Sequence, residues 1–514
     1  MTHATRARTD DGRGAGPPGG SLRTRAARGA LVTLAAQALR IVLQLAGVVL
    51  LARLLLPSDY GLVAMVMALI GVAEIFRDLG LSSAAVQAEH LSRAQRDNLF
   101  WVNTAAGGVL ALLVVAVAPL IARWYAEPEL VDLARALAPV FLLNGLATQF
   151  RADLTRRMRF SRIATADVLA PCLALGAAIA VAAAGGGYWA LVTQQLTTAV
   201  VLLVVLAVSA RWWPRWYTRD APMRELLSYG WHLAGSQLIG YVARNIDSVT
   251  IGTRFGATPL GLYNRAFQLL MTPLAQLRNP TVTVALPVLS RIRESRSETD
   301  AFVRRGQLAL GLTLVAGLGV VAGAAAPLTA IMLGPAWEAA EPYLRLLAAA
   351  GAFQTLAYVG YWVYLAHGLT KELLRYSIVS AALTVTCVLV GSIGGPVGVA
   401  WGFLAATALE WPISFWWLSR KANVSVRPLV IGALRIVALA AVLGVAAWAA
   451  CTLVGPSAPW VQLAAAVGAA GVVYVVALAL PSYRRDVRDV VAVVRAGLAA
   501  RQSRAPEPVG ASDG

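Results

Sequence analysis

The chain has 514 residues, of which 58% are hydrophobic and only 14% charged, with a mean hydropathy of +0.66 and a formal net charge of +18. A soluble domain this apolar would expose sticky surface everywhere, which excludes that class. The positive charge lies on short loops and both tails, not on a polar domain, which argues against nucleic acid as a partner and for anionic membrane lipids.

Residues 1–27, with GRGAGPPGGS among them, read as a disordered basic tail. From residue 28 onward apolar stretches follow one another, each near the ~20 residues that cross a ~30 Å hydrocarbon core as a helix. About fourteen spans are expected. They lie near 28–54, 59–81, 98–123, 130–150, 162–184, 188–210, 227–254, 260–287, 303–325, 340–366, 372–393, 397–419, 428–452 and 459–480. The first is too long for a signal-peptide core and is taken as a retained span. Residues 482–514 form a second tail, in which 483–501 has the pattern of an amphipathic helix, either on the inner leaflet or solvated.

Basic residues fall on alternate loops. Arg23, Arg25 and Arg28 precede span one, and Arg93 and Arg96 follow span two. Arg151, Arg156, Arg157, Arg159 and Arg162 follow span four, and Arg211, Arg215, Arg219 and Arg224 follow span six. Arg291, Arg293, Arg296, Arg304 and Arg305 follow span eight; Lys371, Arg375, Arg420, Lys421 and Arg427 come later. The intervening loops are turns such as GGG at 185–187 and GSIGGP at 391–396, with stray charges such as Arg53 and Arg254. By the positive-inside rule both termini are cytoplasmic and the span count is even. Cys172, Cys387 and Cys451 lack metal or redox spacing and read as small buried hydrophobes.

Residues 31–70 laid on 231–270 match at Gln37/Gln237, Val42/Val242, Val49/Val249, Gly61/Gly261, Leu62/Leu262 and Leu69/Leu269. The copies pair spans one and two with spans seven and eight, both starting on the same side. That implies parallel repeats about an axis along the membrane normal.

Ionisable and amide side chains inside spans mark protein-facing or wet surfaces. Gln37, Arg40 and Gln44 form one stripe in span one. Span two ends with Glu74, Arg77 and Asp78, either a structural ion-pair cluster or part of a site. Span seven carries Gln237, Arg244 and Asp247, the last two placed either to neutralise each other or to serve a site. Span eight carries Asn264, Arg265, Gln268 and Arg278. Together they predict a cationic, water-accessible cavity between two lobes, suited to an anionic substrate and to phosphate in particular. Glu410 in span twelve reads as a packing feature, and Gly311, Gly317, Gly319 and Gly323 in span nine as close helix packing or a bend. No phosphate-binding glycine loop, HExxH or paired metal ligands are present.

The stretches FRDLGLSSAAVQ (76–87), LSRAQRDNLFWVNTAAGG (91–108) and NIDSVTIGTRFGATPLGLYNRAFQLLMTPL (245–274) resemble the polysaccharide exporter branch of the multidrug/oligosaccharidyl-lipid/polysaccharide flippase superfamily. The likeness extends to colanic acid and teichuronic acid exporters. It implies an all-α polytopic fold of two six-helix lobes, here 28–210 and 227–425, joined by a linker at 211–226 and followed by two extra helices at 426–481. It also implies a non-enzymatic flippase for a polyprenyl-pyrophosphate-linked oligosaccharide, working by alternating access in the cytoplasmic membrane. Exopolysaccharide or lipopolysaccharide assembly would supply its context, with glycosyltransferase and polymerase machinery as partners. Arg40, Arg77, Arg244, Arg265 and Arg278 are the positions that would take the cavity-arginine role. Asp78, Asp247 and Glu74 are the candidates for coupling to a cation of unspecified identity. The rival functions are a drug or cation exporter or a peptidoglycan-precursor flippase of the same superfamily, and a membrane glycan polymerase or ligase.

Overall fold

The structure, a computed structural model, describes residues 39, 41–78, 91–218, 223–422 and 424–502. All its regular structure among these residues is helical. The first half contains α1 (Ile41–Ala52), α2 (Pro57–Asp78), α3 (Arg93–Tyr125), α4 (Leu130–Leu137), α5 (Pro139–Arg156), α6 (Phe160–Ala183) and α7 (Trp189–Ala210). The second contains α8 (Arg224–Phe255), α9 (Ala257–Arg278), α10 (Pro280–Ile292), α11 (Arg296–Gly323), α12 (Ala325–Met332), α13 (Glu341–Ala366), α14 (Thr370–Gly391) and α15 (Gly395–Lys421). Then come α16 (Val426–Val454), α17 (Pro459–Ala479) and α18 (Pro481–Gln502).

Ten helical stretches are long and apolar enough to cross a membrane, against the fourteen expected. Three features account for the difference. Span one is described only as Ile41–Ala52. The stretch Thr370–Lys421 holds two helices, α14 and α15, joined at Ser392–Gly394. The helices α8 and α9 carry Arg244, Asp247, Asn264, Arg265 and Gln268, and these side chains pull their hydropathy down. The long apolar helices make the chain a multi-pass membrane protein, and their outward faces carry exposed leucines such as Leu112 and Leu453. The cysteines depart from expectation: Cys172 is exposed and Cys387 and Cys451 are half-buried.

Local chemistry sets the helix ends. Ser92 and Gln95 form a capping box at the start of α3, with the Ser92 hydroxyl accepting from the Gln95 amide (3.1 Å) and Gln95 Oε1 from the Ser92 amide (2.9 Å). Pro139 splits predicted span four into α4 and α5, and Pro280 separates α10 from α9. Gly256, at φ +85°, turns the chain between α8 and α9. The expected packing role of the span-nine glycines holds for Gly311, which lies against Ile436, and for Gly319 and Gly323, whose missing side chains let α11 lie on the carbonyls of Ala440 and Gly444 in α16. Gly317 faces open space.

The halves meet chiefly where α2 lies against α8 and α9. A Cβ at Gly61 would fall on the Ala257 carbonyl, and one at Gly261 on the Pro57 carbonyl. Gly71 leaves room for Tyr241, whose hydroxyl donates to the Ala68 carbonyl (3.1 Å). The connection after α7 is fastened to the first half. Asn98 donates to the Thr218 carbonyl (2.7 Å) and accepts from the Thr218 amide (2.8 Å), while Trp101 donates to the Arg215 carbonyl (2.7 Å) and stacks on Trp216. Met223, just before α8, packs with Leu99 and Ala152. The helix expected at 483–501 is α18, and it docks on the bundle through Asp486–Arg435 (3.2 Å) and Asp489–Arg304 (2.8 Å).

Candidate functional site

A cavity of about 710 Å³ lies among α1, α2, α6, α7, α8 and α9. Both halves therefore line it. Its walls mix apolar residues such as Leu43 and Val63 with amides and hydroxyls, a lining that holds water and a polar ligand inside a membrane protein.

Arg265 is its cation. The residue is 5% exposed, its Nη1 donates to Gln268 Oε1 (3.0 Å), and its guanidinium carbon sits 3.5 Å from the Tyr60 ring centroid. Its Nε has no hydrogen-bond partner, and among the described residues no carboxylate pairs with it. A buried guanidinium without a counter-charge is costly to keep unless something anionic visits it. Asn264 and Gln268, on the same helix, also face the cavity, as does Gln44 from α1.

The other expected residues are placed as follows. Gln37 and Arg40 lie outside the described residues, as do the side chains of Arg77 and Asp78 at the end of α2. Gln237 and Arg244 are exposed and are not part of the cavity wall. Asp247 is buried, with the Tyr263 hydroxyl and the Ser248 amide (2.7 Å) donating to it; no ion pair to Arg244 occurs. Glu74 accepts from Asn144 (2.9 Å), away from the cavity wall. Arg278 sits over the Tyr358 ring (4.5 Å), also away from it. Glu410 accepts from the Thr384 hydroxyl (2.8 Å), a packing role between α14 and α15.

The structure adds residues that the pattern of charges did not single out. Gln194 and Gln195 reach the cavity from α7, Asn245 and Ser248 from α8, and Tyr60 and Tyr241 from α2 and α8. The glutamine pair carries a signal, since two adjacent amides inside an apolar span need a polar neighbour. The tyrosines carry none, because an aromatic ring belongs in an apolar span for its own sake.

A seam between the halves adjoins the cavity wall at Tyr60. There the Trp337 indole donates to the Ala52 carbonyl (2.7 Å), Arg53 donates to the Ile331 carbonyl (2.7 Å), and Tyr60 meets Trp337 edge-on with centroids 5.4 Å apart. Tyr60 belongs both to this seam and to the cavity wall.

Comparison with known proteins agrees with this architecture. The family described as "Polysaccharide biosynthesis protein" matches residues 50–342. The teichuronic acid biosynthesis protein TuaB of Bacillus subtilis is 28% identical over 353 residues, 68% of this chain and 72% of the relative. The lipopolysaccharide biosynthesis protein WzxC of Escherichia coli is 23% identical over 402 residues, 77% of this chain and 81% of the relative. Among solved structures, the lipid II flippase MurJ in an inward closed conformation superposes with a TM-score of 0.66 at 12% identity, covering 88% of this chain and 98% of that one. An inward-facing multidrug resistance transporter gives a TM-score of 0.56 at 17% identity, over 77% of this chain and 98% of that one. The structural likenesses establish the fold.

Proposed function

The chain belongs to the polysaccharide biosynthesis protein family, and on that premise we propose that it is a flippase for a polyprenyl-pyrophosphate-linked oligosaccharide in the cytoplasmic membrane. It serves exopolysaccharide or other cell-surface glycan assembly. The observation that carries the reading is Arg265: a buried guanidinium with no acid beside it among the described residues, facing a cavity shared by both halves. Guanidinium matches phosphate oxygens in geometry and charge, and the charge-assisted pair is strongest where water is scarce. The chain is a transporter and performs no covalent step. Its relatives in sequence bear names of polysaccharide biosynthesis.

In this reading the pyrophosphate enters from the cytoplasmic side and sits between Arg265 and the amides of Gln44, Gln194 and Gln268, with Arg40 as a further cation. The polyprenyl tail stays in lipid. The lobes, residues 28–210 and 227–425, rock so that the sugar emerges outside. Fourteen spans, the pair at 426–481 among them, with both termini inside, complete the topology. Asp247 is the favoured coupling acid, since it is buried without a cation partner; Asp78 and Glu74 are the alternatives. Glycosyltransferases that build the lipid-linked unit act upstream.

The test is Arg265→Ala in a strain whose own exporter is deleted. Glycan export should fall at least about thirtyfold, the scale of one lost charge-assisted pair, while the protein still reaches the membrane. Export at the wild-type level would remove Arg265 from the site and the proposal with it.

A further inference from the structure

We infer that Tyr60 couples substrate binding to opening of the seam: an anionic group that turns the Arg265 guanidinium off the Tyr60 ring releases the contact with which Tyr60 and Trp337 hold the halves together. The inference rests on the pyrophosphate reading of the cavity.

Four observations make the chain of contacts. Arg265 lies over the Tyr60 face at 3.5 Å, so with no carboxylate beside it the ring's negative face is its counter-charge. The Arg265 Nε is buried and bonded to nothing. Nη1 is already engaged by Gln268, so the Nε–Nη2 edge is the one left free for a bidentate grip, and it has to swing toward the cavity to hold a pyrophosphate with two donors. Swinging takes the plane off the ring, and neutralising the charge removes the attraction that held it there.

Tyr60 then loses its main partner on the cavity side. Its hydroxyl is buried and makes no hydrogen bond, so the ring is kept in place by packing alone. On its far side it meets Trp337 edge-on, and Trp337 is the residue whose indole ties the second half to the Ala52 carbonyl. An aromatic with an unused hydroxyl, wedged between a cation and an inter-half hydrogen bond, is built to move when the cation moves. The seam's other hydrogen bond, Arg53 to the Ile331 carbonyl, is only partly buried, and water competes for the exposed Arg53 side chain.

Opening is measured between spin labels at Leu54 and Glu338, both exposed beside the seam. The full-length protein, with Cys172, Cys387 and Cys451 replaced by Ser, is held in lipid nanodiscs. Geranylgeranyl pyrophosphate is the probe, and its affinity is titrated in the same samples. In the wild type the probe should move the distance distribution to longer values. Tyr60→Leu, which keeps an apolar side chain but removes the ring, should raise the long-distance population about tenfold without any probe, the scale of a desolvated cation–π contact. Tyr60→Phe keeps the ring face and should restore the closed distribution. Trp337→Phe, which loses the indole N–H, should open the seam as Tyr60→Leu does. Probe binding to the wild type without a distance change overturns the coupling and leaves the pyrophosphate reading standing. A closed distribution in probe-free Tyr60→Leu overturns it too. Absence of probe binding overturns the pyrophosphate reading itself.

Discussion

Gly61 and Gly261 exchange partners across the molecule: Gly61 packs on the carbonyl of Ala257, and Gly261 on the carbonyl of Pro57. The two glycines are repeat mates, and so are Pro57 and Ala257. Reciprocal contacts of this kind are the mark of a two-fold interface, here made within one chain. They place the pseudo-axis between α2 and α9, next to the cavity.

A methyl group at either glycine has to displace backbone. Gly61→Ala and Gly261→Ala should each destabilise the purified protein by about 1–3 kcal/mol, and by similar amounts, because their environments are equivalent. Gly317→Ala, whose Cβ meets nothing within 4 Å, should be neutral or slightly stabilising. Thermal unfolding in one detergent compares the three. Unequal losses at Gly61 and Gly261 would argue against the symmetry.

Polar residues inside spans were legible in the sequence because the membrane gives them few places to go. Asn264, Arg265 and Gln268 reached the cavity as that rule predicts. The same rule placed Arg278 and Gln237 there, and they are elsewhere. Arg278 satisfies its charge on the face of Tyr358, and such a partner on another helix leaves no mark in the sequence. Tyr60 was invisible for the opposite reason: its ring fits the apolar pattern, and only three-dimensional contact shows a cation above it. The repeat was legible as matched letters, but the exchange of partners at Gly61 and Gly261 was not. Pro139 and Pro280 break spans read as continuous, since the apolar pattern runs across both.

Amide contacts in the cavity should each matter moderately. Gln194→Ala and Gln268→Ala should weaken binding of a polyprenyl pyrophosphate about three- to tenfold, the value of one neutral hydrogen bond. Arg278→Ala should leave that affinity unchanged and lower only thermal stability, since its ring partner Tyr358 is off the cavity wall. Titration of the purified variants separates the two classes.

The buried Asp247 depends on its hydroxyl donor. Tyr263→Phe removes the side-chain hydrogen bond to the carboxylate and should cost about 1–3 kcal/mol in unfolding. Asp247→Asn cannot ionise. With Asp247 as the coupling acid, that variant should bind the polyprenyl pyrophosphate normally yet fail to export against a gradient in proteoliposomes. Gradient-driven export at the wild-type rate would remove Asp247 from coupling.

Docking of α18 should respond to pH with an unexpected sign. Burial raises the Asp486 carboxyl above its ordinary range, and Arg435 offsets this only in part. The docked helix therefore holds the proton more tightly than the undocked one. Docking gains stability as pH falls through the raised value toward the undocked pKa of about 4, and for this group it is weakest at neutral pH and above. Hydrogen exchange across Pro481–Gln502, corrected for intrinsic rates, should slow as the pH is lowered toward the undocked pKa of about 4, and Asp486→Asn should flatten the trend. Faster exchange on acidification in the wild type alone would show the sign to be reversed.

Asn98 grips Thr218 on one side of the junction between the halves, and Met223 is embedded among first-half residues on the other. Both ends of the junction are thus anchored on the first half. A swing of the second half then bears on α8 itself, a single rod that is held to one half at its foot and built into the other along its length. Gly235 and Ser236 lie along that rod, the kind of adjacent pair at which a helix yields first.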